Sequence, residues 1–171
     1  APDTYTYGGK KLDIYKKIKE ADAPKAIIIP GHETPDMREQ DVLWSNFLDG
    51  KDFEEVAADP DTMISILFSS GTTSEPKAIP WTQLTPIKCA TDAYFHHDVH
   101  PEDVLTWTTG MGWMMGPWTI FAALMNGATL ALFTGSAASE TFGRFTEKSA
   151  ITILGTIPSL VKAWRNSGVM E

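Results

Sequence analysis

The chain has 171 residues, 43% hydrophobic and 21% charged, which is ordinary usage for a folded domain with its own core and excludes a wholly disordered segment. Its formal net charge of −8 speaks against a general nucleic-acid binder, yet leaves nucleotides open, because a small phosphate site needs local backbone donors rather than a global positive field. One cysteine, Cys89, rules out an intramolecular disulfide and a cysteine-rich metal site, and fits a reducing compartment.

In chain order, Lys10 to Ala21 reads as an exposed helix whose imperfect apolar stripe is Leu12, Ile14, Tyr15 and Ile18. Pro24 breaks it, and Lys25 to Pro30 looks like a short buried strand. Asp41 is placed to cap a short helix carrying Val42, Leu43, Trp44, Phe47 and Leu48, ended by Gly50. Met63 to Phe68 is a strand, and Ser69 to Lys77 is a loop of small and hydroxyl residues. Thr82 can cap a helix running to about His97, with Pro86 tolerated in its first turns.

Asp103 to Trp107 reads as a further strand, followed by the glycine-rich bend Gly110-Met111-Gly112-Trp113. Pro117 to Met125 is helical and Ala128 to Phe133 a strand. Ser139 to Ser149 is a helix, Ile151 to Leu154 a strand, and Ser159 to Asn166 a helix begun by Pro158. Strands alternating with helices through short connections predict an α/β fold, with a layered, largely parallel sheet and flanking helices. The first residues lack the basic-then-apolar order of a signal peptide. The longest apolar run, from Trp113 to Phe133, is interrupted by Gly116, Pro117, Asn126 and Gly127, so no transmembrane segment and a soluble protein are expected.

The chemistry concentrates between Ser69 and Lys77. Binding a phosphate requires converging donors and close approach of the main chain. Gly71 permits that approach, the hydroxyls of Ser69, Ser70, Thr72, Thr73 and Ser74 can donate, and Lys77 adds a positive charge. The spacing is not GxxxxGK[ST], which disfavours a Walker-type ATPase. Clusters of serine, threonine and glycine are by themselves more often plain turns, so composition alone leaves both readings open.

The ordered string SSGTTSEPK resembles the core loop of the adenylate-forming superfamily, whose pattern is near [ST][ST]G[ST]TGxPK. It matches at Ser69, Ser70, Gly71, Thr72, Thr73, Pro76 and Lys77, and departs at Ser74 and Ala78, where glycine is usual. Further landmarks resemble acetyl-CoA-synthetase-like members and plant-type acyl-activating enzymes. These are Tyr7 to Lys11 with Ile27 to Ile29, the Asp-x-x-Trp stretch from Asp41 to Trp44, the Gly-Trp-x-x-Gly region within Thr108 to Gly116, and Ile151 to Ser159.

The resemblance implies part of the large N-terminal domain of an acyl-CoA synthetase, with residues 1–171 as a partial AMP-binding domain. It implies that Ser69, Ser70, Gly71, Thr72, Thr73, Ser74 and Lys77 cradle the ATP phosphates. Lys77 is the catalytic candidate, and Gly112 and Trp113 border the acyl substrate. ATP, Mg²⁺ and coenzyme A are the implied cofactors, and a small carboxylic acid is the partner substrate. No residue here is assigned as a metal ligand, since the family's magnesium-binding aromatic-x-Thr-Glu motif has no counterpart in this sequence. The ribose-binding aspartate and the small C-terminal domain with its lysine also lack counterparts. The chain alone is therefore expected to be inactive, and a cytoplasmic or peroxisomal location is expected.

Other residues invite weaker readings. The Trp113 indole suits a pocket wall or ordinary core packing, and Met111, Met114 and Met115 suit a hydrophobic tunnel or irregular core gaps. His96, His97 and His100 make a poor metal site, because adjacent histidines on a helix diverge and no third ligand follows at suitable spacing; they read as a solvated helix end. Cys89 reads as buried and inert, and Asp52, Glu54 and Glu55 as a solvated face. Two rival functions stay open on residues alone: a noncatalytic nucleotide- or pyrophosphate-binding module, and a structural or partner-binding α/β domain.

Overall fold

A computed structural model describes residues 1–7, 10–31, 34–48, 50, 54–70 and 75–168. The chain divides into two compact units, Ala1–Glu55 and Val56–Glu171.

In the first unit, β1 (Thr4–Tyr7) and β2 (Lys10–Asp13) pair antiparallel. Helix α1 (Ile14–Glu20) follows directly, because the Asp13 carboxylate accepts the Lys16 amide at 2.8 Å. The expected helix from Lys10 is thus corrected at its start: Lys10 to Asp13 is extended, and strand pairing outweighs the apolar stripe. The expected strand near Ile27 is present as β3 (Ile27–Ile28), paired parallel with β4 (Val42–Leu43).

Asp41 does not cap a helix. Its carboxylate accepts two bonds from the Arg38 guanidinium at 2.9 and 3.0 Å, one from the Tyr15 hydroxyl at 2.7 Å and one from the Ala26 amide at 2.8 Å. Val42 and Leu43 are thereby held beside β3, and the helix α2 (Trp44–Phe47) starts only after them. Tyr15 and Ile28 are buried at the centre of this unit.

The second unit opens with an antiparallel hairpin, β5 (Met63–Ser69) and β6 (Lys77–Thr82). Strand β6 had no counterpart among the expected elements, because Pro80 and the nearby helix start obscure its period-two alternation. Helix α3 (Leu84–His97) has Gln83 rather than Thr82 at its N-cap, and Thr82 donates its amide to the Thr85 hydroxyl at 3.0 Å. The helix stops at Asp98, which adopts a left-handed conformation at φ 55°.

Strand β7 (Val104–Trp107), helix α4 (Met115–Met125), strand β8 (Thr129–Leu130), helix α5 (Glu140–Lys148), strand β9 (Ile153–Gly155) and helix α6 (Pro158–Ser167) complete the unit. The last three strands form a parallel sheet in the order β8-β7-β9. The α/β expectation holds, and the order of elements after β6 follows the sequence reading with shorter strands.

Helices α3 and α4 pack on each other, and α4 packs on β7 and β8. Ala93, Ala122 and Ala123 are fully buried, and these small side chains let the helices approach closely. The Asn126 side-chain amide bridges them, donating to the Ala90 and Ala122 carbonyls at 3.0 and 2.8 Å. Trp81, Cys89, Val99, Leu105 and Trp118 fill the same core. Burial raises the Cys89 thiol above its ordinary pKa, which keeps it protonated and inert at neutral pH.

Candidate active site

The register of the hairpin organises the first part of the site. Ser65 pairs with Trp81, Leu67 with Ile79, and Ser69 with Lys77. Side chains alternate across a strand, so Lys77 leaves the same face as Ile79 and Trp81. Trp81 is buried and meets Phe121 of α4 at 6.5 Å between ring centroids. Ile66, Phe68, Ala78 and Pro80 occupy the opposite face and are exposed. A slip of one residue would move Lys77 to that outer face.

Ser69 is half-buried, while Ser70 and Lys77 are exposed. The structure brings Ser69 and Lys77 opposite each other at the two ends of the loop. Gly71, Thr72, Thr73 and Ser74 lie outside the described residues. The expected loop leads from one strand into its antiparallel neighbour, and not from a strand toward a helix. This local framework fixes both loop ends by strand hydrogen bonds.

A second group of residues lies where the parallel strands end. Trp107 pairs with Gly155 across β7 and β9, and the Thr108 amide donates to the Gly155 carbonyl at 3.1 Å. Ligand crevices in open parallel sheets form at these carboxyl ends. A methyl group at Gly155 would fall inside the Trp107 indole, so the ring lies directly over the glycine. Trp107 also meets Trp118 at 5.6 Å, and His97 approaches Trp118 edge-on at 5.1 Å. His97 is thus part of an aromatic group, while the His100 Nε2 lies 3.0 Å from an Asp98 oxygen. Among the described residues no group of three or more histidine, cysteine or acidic side chains could hold a metal ion.

Between β7 and α4 the chain makes a tight turn. The Trp113 amide donates to the Gly110 carbonyl at 3.0 Å, and the Gly116 amide donates to the Trp113 carbonyl at 2.9 Å. Trp113 is 74% exposed, which excludes core packing for it in this chain, and Met111 and Met114 are exposed beside it. A side chain at Gly112 would meet nothing within 4 Å, so no crowding within the described structure demands glycine there. The most crowded glycines among the described residues are Gly116 and Gly155; the sequence places them only within the Gly-Trp-x-x-Gly and 151–159 landmarks, because the steric demand on them is made by the folded turn and by the Trp107 ring and leaves no mark in composition.

At the start of the parallel sheet, Asp103 accepts the Thr152 hydroxyl and the His100 amide, each at 2.7 Å. These bonds hold its carboxyl below the ordinary range and tie β7 to β9 at the end away from the 110–116 turn.

Residues 9–171 match the family model described as AMP-binding enzyme. The chain is 44% identical to the probable acyl-activating enzyme 17, peroxisomal, of Arabidopsis thaliana, over 96% of its own length and 24% of that protein. It is 43% identical to the hexanoyl-CoA synthase of Cannabis sativa with the same two shares. Among solved structures it resembles acetoacetyl-CoA synthetase from Streptomyces lividans, with a TM-score of 0.82 and 32% identity over 98% of this chain and 27% of that one. It therefore spans about a quarter of the length of these relatives. With the hairpin loop, the parallel sheet and this match in agreement, the chain belongs to the family of AMP-binding enzymes.

Proposed function

We propose that the protein to which this chain belongs is an AMP-forming acid–thiol ligase. A carboxylate oxygen attacks the α-phosphorus of ATP, pyrophosphate leaves, and the acyl group of the resulting adenylate passes to the sulfur of coenzyme A with release of AMP. The observation that carries this reading is the hairpin register, with Ser69 opposite Lys77 at the mouth of a hydroxyl-rich loop. The names of the relatives, acyl-activating enzyme, hexanoyl-CoA synthase and acetoacetyl-CoA synthetase, support the acid and the thiol acceptor.

Ser70, Thr72, Thr73 and Lys77 hold the β- and γ-phosphates, and Ser69, Gly71 and Ser74 complete the cradle. Charge stabilisation and positioning supply most of the catalysis in such a transfer. Hydroxyls and an ammonium suit phosphate oxygens better than a bare hard cation, so Mg²⁺ comes with the nucleotide and shares the phosphate charge. Gly112 and Trp113 border the acyl group. The first-named relative supports a peroxisomal location over a cytoplasmic one. Residues 1–171 make up part of the AMP-binding domain, and the rest of that domain and a small C-terminal domain complete the active site.

The test is Lys77→Ala in the full-length protein, measured as acid-dependent pyrophosphate release. A fall of about a hundredfold or more is expected, the scale of losing one charge-stabilising group. Unchanged release would remove Lys77 and its loop from the reaction.

A further inference from the structure

Three glycines lie in the turn that carries Trp113, and the structure treats them differently. A Cβ at Gly112 would meet nothing within 4 Å, and one at Gly110 would make an ordinary 3.6 Å contact with Trp113. At Gly116 a Cβ would lie 2.7 Å from the Gly110 carbonyl oxygen, 2.7 Å from the Met111 Cα and 3.2 Å from the Gly110 carbonyl carbon. All three are backbone atoms and cannot turn aside as a side chain would. Gly116 is buried in the first turn of α4 and is not among the glycines with positive φ. The requirement at 116 is therefore one of space.

The Gly110 carbonyl has two roles. Its oxygen occupies the space a Gly116 Cβ would need, and the same oxygen accepts the Trp113 amide at 3.0 Å. The Trp113 carbonyl in turn accepts the Gly116 amide at 2.9 Å. With 74% of its surface exposed, Trp113 has little packing to hold it, so this backbone circuit sets where the indole stands. Restoring an ordinary contact of about 3.4 Å after adding a methyl at 116 requires a shift of about 0.7 Å. Helix α4 is held by the core through buried Trp118, Ala122 and Ala123. The turn gives way, and Trp113 moves with it.

We propose that Gly116 is a positioning residue for the acyl pocket: its bare Cα lets α4 begin against the Gly110 carbonyl and so fixes Trp113 beside the carboxylic acid. The inference rests on the acid-activating reading above. It runs against local propensity, because alanine favours a helix interior over glycine. Were only the helix at stake, Gly116→Ala would be harmless or stabilising.

The experiment is steady-state kinetics of the full-length protein and its Gly116→Ala variant, varying the acid at saturating ATP and then ATP at saturating acid, across acids of increasing chain length. The expected result is a KM for the acid raised about tenfold or more, with an altered order of preference among acids and a KM for ATP within about twofold of the parent, because sub-ångström misplacement acts on the pocket it borders. Unaltered acid KM and selectivity would overturn the proposal, and so would an ATP KM that rises in parallel. If Gly116→Ala yields no folded protein by circular dichroism, Trp113→Ala decides, since truncating an exposed side chain adds no bulk. An acid-specific rise in KM then supports the inference, and an unchanged acid KM defeats it. Failure of the underlying reading shows separately, as a parent protein that forms no acyl-CoA or acyl-hydroxamate from any acid, and it takes the proposal with it.

Discussion

The Asp41 carboxylate gathers donors from three separate stretches of chain: Tyr15 on α1, the Ala26 amide before β3, and the Arg38 guanidinium. Its side chain has no exposed surface, and Arg38 beside it, with help from Tyr15 and Ala26, holds its carboxyl well below the ordinary carboxylate range. In an unfolded chain the same group titrates near about 3.9. As pH falls, the unfolded state therefore takes up the proton first. The stabilisation is fully present above about pH 4 and is lost progressively as pH drops toward the depressed native value. Urea unfolding of Asp41→Asn is expected to show lower stability than the parent at pH 7 and a shallower loss between pH 5 and 3. An identical pH profile would show that Asp41 is not the group responsible. An aspartate before an apolar stretch looks like a helix cap in sequence, and only the arrival of Arg38 and Tyr15 gives it this other role.

At the level of elements, the hairpin and the parallel sheet differ in how much of them could be read. Strand β5 was visible from its apolar run, but its partner β6 was not, because a proline and an adjoining helix start mask six residues of alternation. The hairpin pairing that brings Ser69 opposite Lys77 is accordingly a product of the fold. In the sheet, β7 and β9 are locked by the contact of Trp107 with Gly155, where no side chain fits. Gly155→Ala is expected to destabilise the protein by about 1–3 kcal/mol, the usual range for overpacking a filled site, as measured by urea unfolding. Trp107→Leu in the same chain should recover part of that loss, because the space taken by the methyl is the space vacated by the indole. No recovery would mean that the two residues do not share that volume.

At the scale of the whole molecule, the chain spans about a quarter of the length of the relatives named above. Ile66, Phe68, Trp113 and Met114 remain exposed, and no counterpart of the aromatic-x-Thr-Glu motif occurs among the 171 residues. The 171-residue chain supplied with ATP, magnesium, coenzyme A and short-chain acids is therefore expected to give no sustained acyl-CoA production; steady turnover would refute the view that further segments complete the site. The sequence by itself determined the α/β class and the order of most elements, since apolar periodicity and turn chemistry are written in neighbouring residues. The tertiary structure alone decided which face Lys77 shares with Trp81 across the hairpin, what Asp41 binds, and why Gly116 and Gly155 must lack side chains. Each of those depends on atoms that only folding brings together, from a neighbouring strand at Gly155 and from the preceding turn at Gly116, and excluded volume of that kind leaves no trace in apolar periodicity.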